Sequence, residues 1–267
     1  MRRFFVDPQL LQDDLVSLPP EILRHLQVLR MEQGDRICLL DGAGLLCEAR
    51  LLRIDRQKAL AGIEKRCRVS ETALSVTLFQ GLPKGDKFEL VLQKGTEIGI
   101  SDFVPVLCRR SQVKTPGRRM QRWNRIVAEA ARQSGRNLLP RLSSPLELAA
   151  GLAGCDADLR LVPWEEATTP LAERLPATPP RSAALLIGPE GGLSPEEIEL
   201  ATAYGFQPVS LGPRILRTET AGFVVAGILQ YLYGDLGRFS SPNEPSAAAE
   251  TARGRTCPEP AGGKERL

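Results

Sequence analysis

The chain has 267 residues, of which 42% are hydrophobic and 25% are charged, and its formal net charge is +3. This composition predicts a globular protein of one large or two smaller domains with an ample core. The sequence opens with no signal-peptide pattern and contains no apolar run near the roughly 20 residues that span a bilayer, so we expect a cytoplasmic protein without membrane contact.

Cysteine and histidine usage excludes several kinds of site. The six cysteines, at positions 38, 47, 67, 108, 155 and 257, form no Cys-x-x-Cys pair and no regular framework. We therefore predict reduced thiols rather than disulfides or a zinc site. His25 is the single histidine, which leaves little material for a metal site or a Ser-His-Asp triad, and we predict no bound metal.

Residues 1 to 70 have the pattern of a small β-rich module. Two apolar segments flank the glycine-rich turn Asp41–Gly44, which suits a β-hairpin. The predicted strands are Arg2–Val6, Arg36–Leu40, Leu45–Ala49 and Ala59–Ile63, and the predicted helix is Pro20–Leu29. A barrel-like module of this size would suit RNA binding.

A polar segment, Arg66–Thr72, predicts a link to a second domain that spans residues 71–237. In this domain strand and helix patterns alternate, which predicts βαβ units and a largely parallel sheet. The clearest segments are Leu74–Phe79, Gly85–Ile98, Phe103–Leu107 and Leu159–Val162. After Gly237 the composition shifts to Ser, Pro, Glu, Ala and Gly, which predicts a disordered tail over residues 238–267.

Basic residues are concentrated in the first part of the chain. Residues 1–150 hold 25 Lys and Arg against 17 Asp and Glu, whereas residues 151–267 hold 10 against 15. Between Arg109 and Arg141 there are ten Lys and Arg and a single acid, Glu129. Such a run is either a solvated face or a phosphate-binding surface. Helical spacing of Arg118, Arg119, Arg122 and Arg125 favours the second interpretation.

Two glycine-containing loops organise the second domain. The apolar run Leu185–Ile187 ends in Gly188-Pro189-Glu190-Gly191-Gly192, and Ser194 with Glu197 forms a capping box that starts a helix. A second strand, Pro208–Leu211, is broken by Gly212-Pro213, and an apolar helix begins near Thr218. We expect the two loops to lie side by side at the carboxyl edge of a parallel sheet and to bind a ligand there.

The glycine spacing excludes two common nucleotide sites. It matches neither the dinucleotide fingerprint Gly-x-Gly-x-x-Gly nor a P-loop, which ends in Gly-Lys-Ser/Thr. No lysine occurs between Lys114 and Lys264, so a triphosphate cradle in this part of the sequence is disfavoured. A less charged nucleoside ligand stays open.

Several longer motifs resemble one known family. They are Ile187–Gly192, Leu211–Ala221, Lys94–Gly99, Gln133–Arg136, Arg2–Phe5 and His25–Arg30. Together they resemble the SPOUT-class ribosomal RNA uridine-N3 methyltransferases, the RsmE family, over residues 1 to about 237. The family commonly has an acidic residue just before the glutamine of the motif Gln133–Arg136, where this chain has Arg132.

The resemblance implies a fold, a cofactor and partners. The fold is α/β, with a SPOUT-type parallel sheet and C-terminal trefoil knot preceded by a small PUA-like β-barrel domain. The cofactor is S-adenosyl-L-methionine, and the partners are 16S ribosomal RNA or the small ribosomal subunit and a second copy of the chain in a homodimer. The cofactor-binding residues that the resemblance implies are Gly188, Glu190, Gly191, Gly192, Leu211, Gly212, Ile215 and Leu216.

Methylation of a uracil ring nitrogen requires removal of its weakly acidic proton and stabilisation of the resulting anion. Arg217, directly after the second loop, is the candidate for stabilising that negative charge. Glu97 and Glu190 are candidates for accepting the proton, although both are equally suited to helix capping or salt bridges.

Candidate RNA contacts come from the basic segment and from the family motifs. They are Arg2, Arg3, His25, Arg30, Lys94, Arg118, Arg119, Arg122 and Arg136. For His25, a semi-buried helix position is the other interpretation.

The alternative function is a non-catalytic RNA-binding ribosome assembly factor on the same fold, which would bind RNA without binding the methyl donor. The apolar helix from Thr218 to Tyr233 is expected to be buried on every side, in part by a subunit interface.

Overall fold

A computed structural model describes residues 1–69, 74–111 and 119–237. Part of the predicted linker, Arg118, Cys257 and the predicted disordered tail lie outside these residues. The five cysteines among the described residues are free. Among the helices that the structure describes, none is both long enough and apolar enough to span a membrane.

The first domain is a five-stranded sheet packed around one helix. In space the strands follow the order β1-β3-β4-β5-β2, with β1 parallel to β3 and the other pairs antiparallel. Leu26 of α1 and Ile37 and Leu39 of β3 are fully buried in its core. The elements are β1 (Arg2–Phe5), a 3-10 helix (Pro8–Leu11), β2 (Leu15–Ser17), α1 (Pro20–Val28), β3 (Arg36–Leu40), β4 (Leu45–Ile54) and β5 (Ala59–Arg68).

Two strands of this sheet, β4 and β5, are longer than the sequence pattern predicts. β5 continues to Arg68, so Arg66–Arg68 belong to a strand rather than to the linker, because Leu45 to Cys47 of β4 pair with them. The short strand β2 is absent from the prediction because its three residues gain strand geometry only by pairing with β5. In both cases the partner strand decides the conformation, which local propensity does not record.

The second domain is the predicted α/β unit. Its elements are β6 (Ser75–Gly81), α2 (Lys87–Ile98), β7 (Asp102–Leu107), α3 (Arg119–Ser134), β8 (Arg141–Leu142), β9 (Leu146–Glu147), α4 (Leu148–Ala153), β10 (Leu159–Pro163), a 3-10 helix (Leu171–Arg174), β11 (Ser182–Ile187), α5 (Pro195–Ala203), β12 (Gln207–Val209) and α6 (Thr218–Tyr233). Every strand pair of its seven-stranded sheet is parallel, in agreement with the alternating pattern.

The strand order differs from the expected neighbourhood of the two glycine loops. The order is β12-β10-β11-β6-β7-β8, with β9 also paired to β7, so β10 lies between the two loop-bearing strands. Leu161 of β10 pairs with Leu185 of β11 on one side and with Gln207 of β12 on the other. β12 also ends at Val209, before the predicted end at Leu211. The prediction that the two loops follow neighbouring strands is therefore wrong, although both loops still line one pocket.

Helix α6 is not buried on every side within one chain. Ala221, Val225 and Leu229 face the core against β11 and α2. Towards the C-terminal end of the helix, Ile228 is 38% exposed, Tyr231 65% and Leu232 42%. One chain therefore leaves these apolar side chains uncovered, and the subunit interface that would complete the expected burial stays a prediction.

The two domains contact each other through the loop between α3 and β8. The Arg3 guanidinium donates hydrogen bonds to the Gly135 carbonyl and to Asn137 Oδ1. The Leu139 amide donates to the Gly42 carbonyl at the β3–β4 turn. These bonds connect the first strand and hairpin of one domain to a loop of the other.

Gly95 of the Lys94–Gly99 motif has a packing role. A Cβ at this position would lie 2.7 Å from Phe103 Cε1 and 2.8 Å from Ile100 Cδ1. We expect Gly95→Ala to lower the free energy of unfolding by about 1–3 kcal/mol through overpacking, measured by urea denaturation. Gly154→Ala is the control, because no heavy atom lies within 4 Å of the added Cβ. Equal stability losses in the two variants would contradict this packing role.

Candidate methyl-donor site

The first glycine loop connects a buried strand to a capped helix. β11 ends at Ile187, and the chain turns through Gly188–Gly192 before Ser194 caps α5. The Ser194 hydroxyl accepts a hydrogen bond from the Glu197 amide at 3.4 Å, and the Glu197 carboxylate accepts one from the Ser194 amide at 2.8 Å. The predicted capping box is therefore confirmed. Gly192 has φ +71°, a left-handed conformation that glycine adopts without strain.

Three loops at the carboxyl ends of β10, β11 and β12 enclose a pocket of about 750 Å³. The loop after β10 contributes the half-buried Trp164 to the lining. Apolar walls and backbone groups thus meet at the edge of the sheet where open α/β folds bind ligands. The lining residues are Lys87, Pro163, Trp164, Glu165, Ile187–Leu193, Ser210–Glu219 and Ala221.

A buried polar cluster fixes the first loop to the start of α6. Thr218 Oγ1 donates to the Gly188 carbonyl at 2.5 Å, and Gln80 Nε2 donates to Thr218 Oγ1 at 2.9 Å. Gln80 Nε2 also lies 3.5 Å from the Gly188 carbonyl. Gln80 is fully buried at the end of β6. These bonds set the separation of the two glycine loops, because Thr218 directly follows the second one.

Charged side chains gather at one end of the pocket. Lys87 Nζ lies 2.9 Å from Glu190 Oε1 and 3.8 Å from Glu219 Oε2. Arg217 Nη1 lies 3.9 Å from Glu219 Oε1. A lysine of α2 therefore stands between carboxylates that belong to the first loop and to α6.

The Glu190 carboxylate is fully engaged in this arrangement. It accepts a hydrogen bond from Lys87 Nζ, and the Lys84 amide lies 3.1 and 3.4 Å from its two oxygens. Burial acts to raise the pKa of Glu190, but the Lys87 hydrogen bond and the backbone amides outweigh it and hold the pKa below its ordinary value. Glu190 consequently stays ionised and serves as an anchor for Lys87.

Arg110 closes the outer side of the first loop. Its Nη1 donates to the Gly191 carbonyl at 2.6 Å, and a Cβ on Gly191 would lie 3.1 Å from Arg110 Cβ. The neighbouring Arg109 amide donates to Glu197 Oε1 at 2.7 Å. The segment that follows β7 is thereby connected to both the loop and the helix after it.

Comparison with known proteins agrees with this architecture. A family model described as an RNA methyltransferase domain matches residues 70–230, and one described as an RNA methyltransferase PUA domain matches residues 18–64. Ribosomal RNA small subunit methyltransferase E of Synechocystis sp. is 39% identical over 225 residues, which cover 82% of this chain and 74% of that protein. The protein of the same name from Bacillus subtilis is 35% identical over 248 residues, covering 86% of this chain and 96% of the relative.

A solved structure extends the match to three dimensions. Ribosomal RNA small subunit methyltransferase E from Neisseria gonorrhoeae, bound to S-adenosyl methionine, superposes with a TM-score of 0.79. It is 35% identical, and the match covers 88% of this chain and 99% of that one. The chain belongs to this RNA methyltransferase family. The expected fold class, a SPOUT-type parallel sheet preceded by a PUA-like domain, is confirmed.

The residues that the methyltransferase resemblance assigned to the donor come together in space. All eight of them line the pocket, and so does Arg217. Glu97 lies elsewhere, in the last turn of α2, where its carboxylate pairs with Lys94 Nζ at 2.9 Å. Within a single chain, Glu190 and Arg217 are the predicted catalytic residues at the pocket, and Glu97 is outside it.

Three residues that line or support this pocket were not identified from the sequence. Lys87 precedes the first loop by about 100 positions, and the packing of α2 against α6 brings it there. Gln80 was hidden because an isolated glutamine in a strand carries no signal. Glu219 is the acidic residue of the motif Leu211–Ala221, and its place in that motif was the available signal.

The predicted RNA contacts differ in their surroundings: some make contacts within the chain and others are exposed. Arg3 and Arg136 make internal contacts: Arg3 with the α3–β8 loop, and Arg136 Nη1 with the Ile100 carbonyl at 2.6 Å. Lys94 pairs with Glu97, and Arg122 with Glu89 at 2.7 Å. Half-buried His25 stands edge-on to Phe4, with ring centroids 5.6 Å apart. Arg2, Arg30 and Arg119 are exposed. Arg118 lies outside the described residues.

Proposed function

We propose that this protein is an S-adenosyl-L-methionine-dependent methyltransferase that methylates N3 of a uridine in 16S ribosomal RNA. Family membership supports the reaction class, and the names of the relatives support the small-subunit substrate. The observation that carries the proposal is the single pocket in which all eight predicted donor-binding residues meet.

The pocket has the features that an adenosyl methyl donor needs. Leu211, Ile215 and Leu216 provide apolar surface for the adenine, and the glycine loops offer backbone amides and carbonyls without side chains in the way. A Cβ on Gly188 would lie 3.0 Å from Leu193 Cγ, so a side chain there would disturb the loop. We assign donor binding to Gly188, Glu190, Gly191, Gly192, Leu211, Gly212, Ile215 and Leu216.

The reaction in this site is a direct displacement in which the ring nitrogen attacks the methyl carbon. The protein has to hold the uracil in line with the donor and to balance the charge of the deprotonated ring. We assign charge stabilisation to Arg217, whose side chain is 83% exposed at the mouth of the pocket and therefore accessible to the incoming base.

We propose that the two domains divide the work. Residues 1–70 form a PUA-like RNA-binding domain, residues 71–237 form the methyltransferase domain, and residues 238–267 form a tail. A homodimer would cover the exposed apolar side chains Ile228, Tyr231 and Leu232 on α6. A cytoplasmic location follows from the ribosomal substrate in the relatives' names.

Charge reversal on α3 tests the RNA-binding part of the proposal. The triple substitution of Arg119, Arg122 and Arg125 by Glu should weaken RNA binding. The slope of log K against log salt concentration should become shallower by about 0.7–0.9 per lost phosphate contact. Filter-binding measurements at several salt concentrations check this. The control is Arg174→Glu, which reverses a single charge in the other half of the chain, where Arg160 and Arg181 also lie. Unchanged affinity and slope in the triple variant would leave the basic run as a solvated face.

Mass mapping of methylated nucleotides tests the function directly. Purified protein with S-adenosyl-L-methionine should add one methyl group to a uridine of small subunits that lack the mark. An assembly factor on the same fold would bind RNA but neither bind the donor nor add mass. Absence of methylation together with absence of donor binding by calorimetry would contradict the proposed function.

A further inference from the structure

We propose that Glu219 accepts the N3 proton of the uridine during methyl transfer. The inference rests on the proposed function and adds the proton acceptor to it. Glu219 lies in the first turn of α6, lines the pocket, and is only 9% exposed. Ionised carboxylates are seldom buried without strong partners, so its position calls for an explanation.

The Glu219 carboxylate lacks a full set of hydrogen-bond partners. Among the described residues its Oε2 is buried without a hydrogen bond. The two cations that face it are Lys87 of α2, at 3.8 Å from Oε2, and Arg217 at the start of α6, at 3.9 Å from Oε1. Both distances exceed a hydrogen bond, so the cations balance the charge without occupying the oxygens. A buried acceptor left in this state is costly unless a ligand or a reaction uses it.

The other carboxylates of the site are less suited to the task. Glu190 is occupied by Lys87 and the Lys84 amide, and its lowered pKa makes it a weaker base. Glu165 lines the pocket but is exposed. Glu97 is outside the pocket and paired with Lys94. Among the described residues that line the pocket, Glu219 is the carboxylate that combines burial with an oxygen atom, Oε2, that has no hydrogen bond.

The proton and electron balance is simple. The N3–H bond breaks and its proton moves to the Glu219 carboxylate. The electron pair left on N3 forms the new bond to the methyl carbon, and the methyl–sulfur bond breaks with its electrons remaining on sulfur. The proton then passes to solvent through the mouth of the pocket. Lys87 balances the charge of the Glu219 carboxylate before the transfer, and Arg217 balances the negative charge that develops on the ring.

The test compares Glu219→Gln with Glu219→Asp in the full-length protein, using labelled S-adenosyl-L-methionine and unmethylated small subunits. Glutamine keeps the shape of the side chain but cannot accept the proton, whereas aspartate keeps the carboxylate and alters its reach. We expect Glu219→Gln to lower kcat roughly 100-fold to 10,000-fold with the KM for the donor nearly unchanged, and Glu219→Asp to retain more activity than Glu219→Gln. A purely structural role predicts the reverse order, and that result would overturn the proposal.

The pH profile supplies a second readout. In the wild type, kcat should fall at acid pH, because a proton acceptor works only in its unprotonated form. In Glu219→Gln this acid limb should disappear, and the remaining activity should rise with pH as the uracil ionises in solution. An unchanged profile in the variant would also overturn the proposal. Glu199→Gln, the same change on the exposed face of α5, is the matched control and should behave as wild type.

The proposal and the proposed function fail separately. If the wild-type protein itself transfers no methyl group, the function is wrong and no inference about Glu219 remains to be drawn. If the wild type is active and Glu219→Gln is equally active, the function stands and the assignment of Glu219 is wrong. Thermal melting of each variant identifies any loss of folding, and the ranking of the aspartate and glutamine variants by kcat per folded molecule then decides the outcome.

Discussion

Replacing Arg217 by alanine should lower kcat for methyl transfer by on the order of 100-fold to 1,000-fold, the range found when one charge-stabilising donor is removed. Arg217 lines the pocket, its guanidinium is largely exposed, and its nearest charged partner is Glu219 at 3.9 Å. The side chain is therefore free to turn towards a bound base. RNA affinity should change little, because one cation among many phosphate contacts contributes a small share. Single-turnover kinetics with saturating RNA separate the chemical step from binding.

Arg174→Ala is the control for this experiment, since it removes an exposed arginine outside the pocket. It should leave kcat within about twofold of wild type, as surface substitutions away from special features usually do. Equal losses of kcat and RNA affinity in Arg217→Ala would place the residue in RNA binding rather than in charge stabilisation.

Replacing Gly192 by valine should weaken S-adenosyl-L-methionine binding about 10-fold to 100-fold. Gly192 has φ +71°, and a β-branched residue held there is strained by roughly 1–3 kcal/mol. The loop can relieve the strain by moving, which leaves a small fraction of molecules with the pocket correctly formed and lowers apparent affinity by that fraction. Isothermal titration calorimetry measures the effect.

Gly34→Val provides the matched control in the first domain. Gly34 has φ +98° and no heavy atom within 4 Å of an added Cβ, so the substitution imposes comparable backbone strain away from the pocket. We expect reduced stability with unchanged donor affinity. If Gly192→Val binds the donor as tightly as wild type, the first glycine loop does not shape the donor site.

Local signals in the sequence identified the principal elements of the methyltransferase domain. The capping box of Ser194 and Glu197, the helix from Thr218 to Tyr233 and the alternation of strands and helices are all present. Each depends on residues within a few positions of one another, where propensity, capping and periodicity act directly. The donor loops were found for the same reason, together with the family motifs that contain them.

Relations between distant segments were less accessible. Nothing in the apolar runs indicates that β10 pairs with both β11 and β12, because strand order results from the whole set of crossover connections. The same limit hid Lys87, which reaches the pocket only after α2 has packed in the second domain. The apolar sequence of α6 likewise does not say how much of the helix one chain covers, and Ile228, Tyr231 and Leu232 are exposed in a single chain.

Basic residues show a different limit of sequence reasoning. A guanidinium is suited both to phosphates and to backbone carbonyls, and the composition does not distinguish the two. Arg3 joins the domains and Arg136 donates to the Ile100 carbonyl near the end of α2, so part of the expected RNA surface also stabilises the fold. The exposed Arg119 and Arg125 of α3 are consequently more informative targets for RNA-binding experiments.

A crystal structure of this protein with S-adenosyl-L-methionine tests the central claim most directly. We predict that the adenosyl group lies between the Gly188–Gly192 loop and the segment that follows β12, with the methyl group directed towards Arg217 and Glu219. A donor molecule bound at another place in the fold, or one that leaves these two loops untouched, would contradict it.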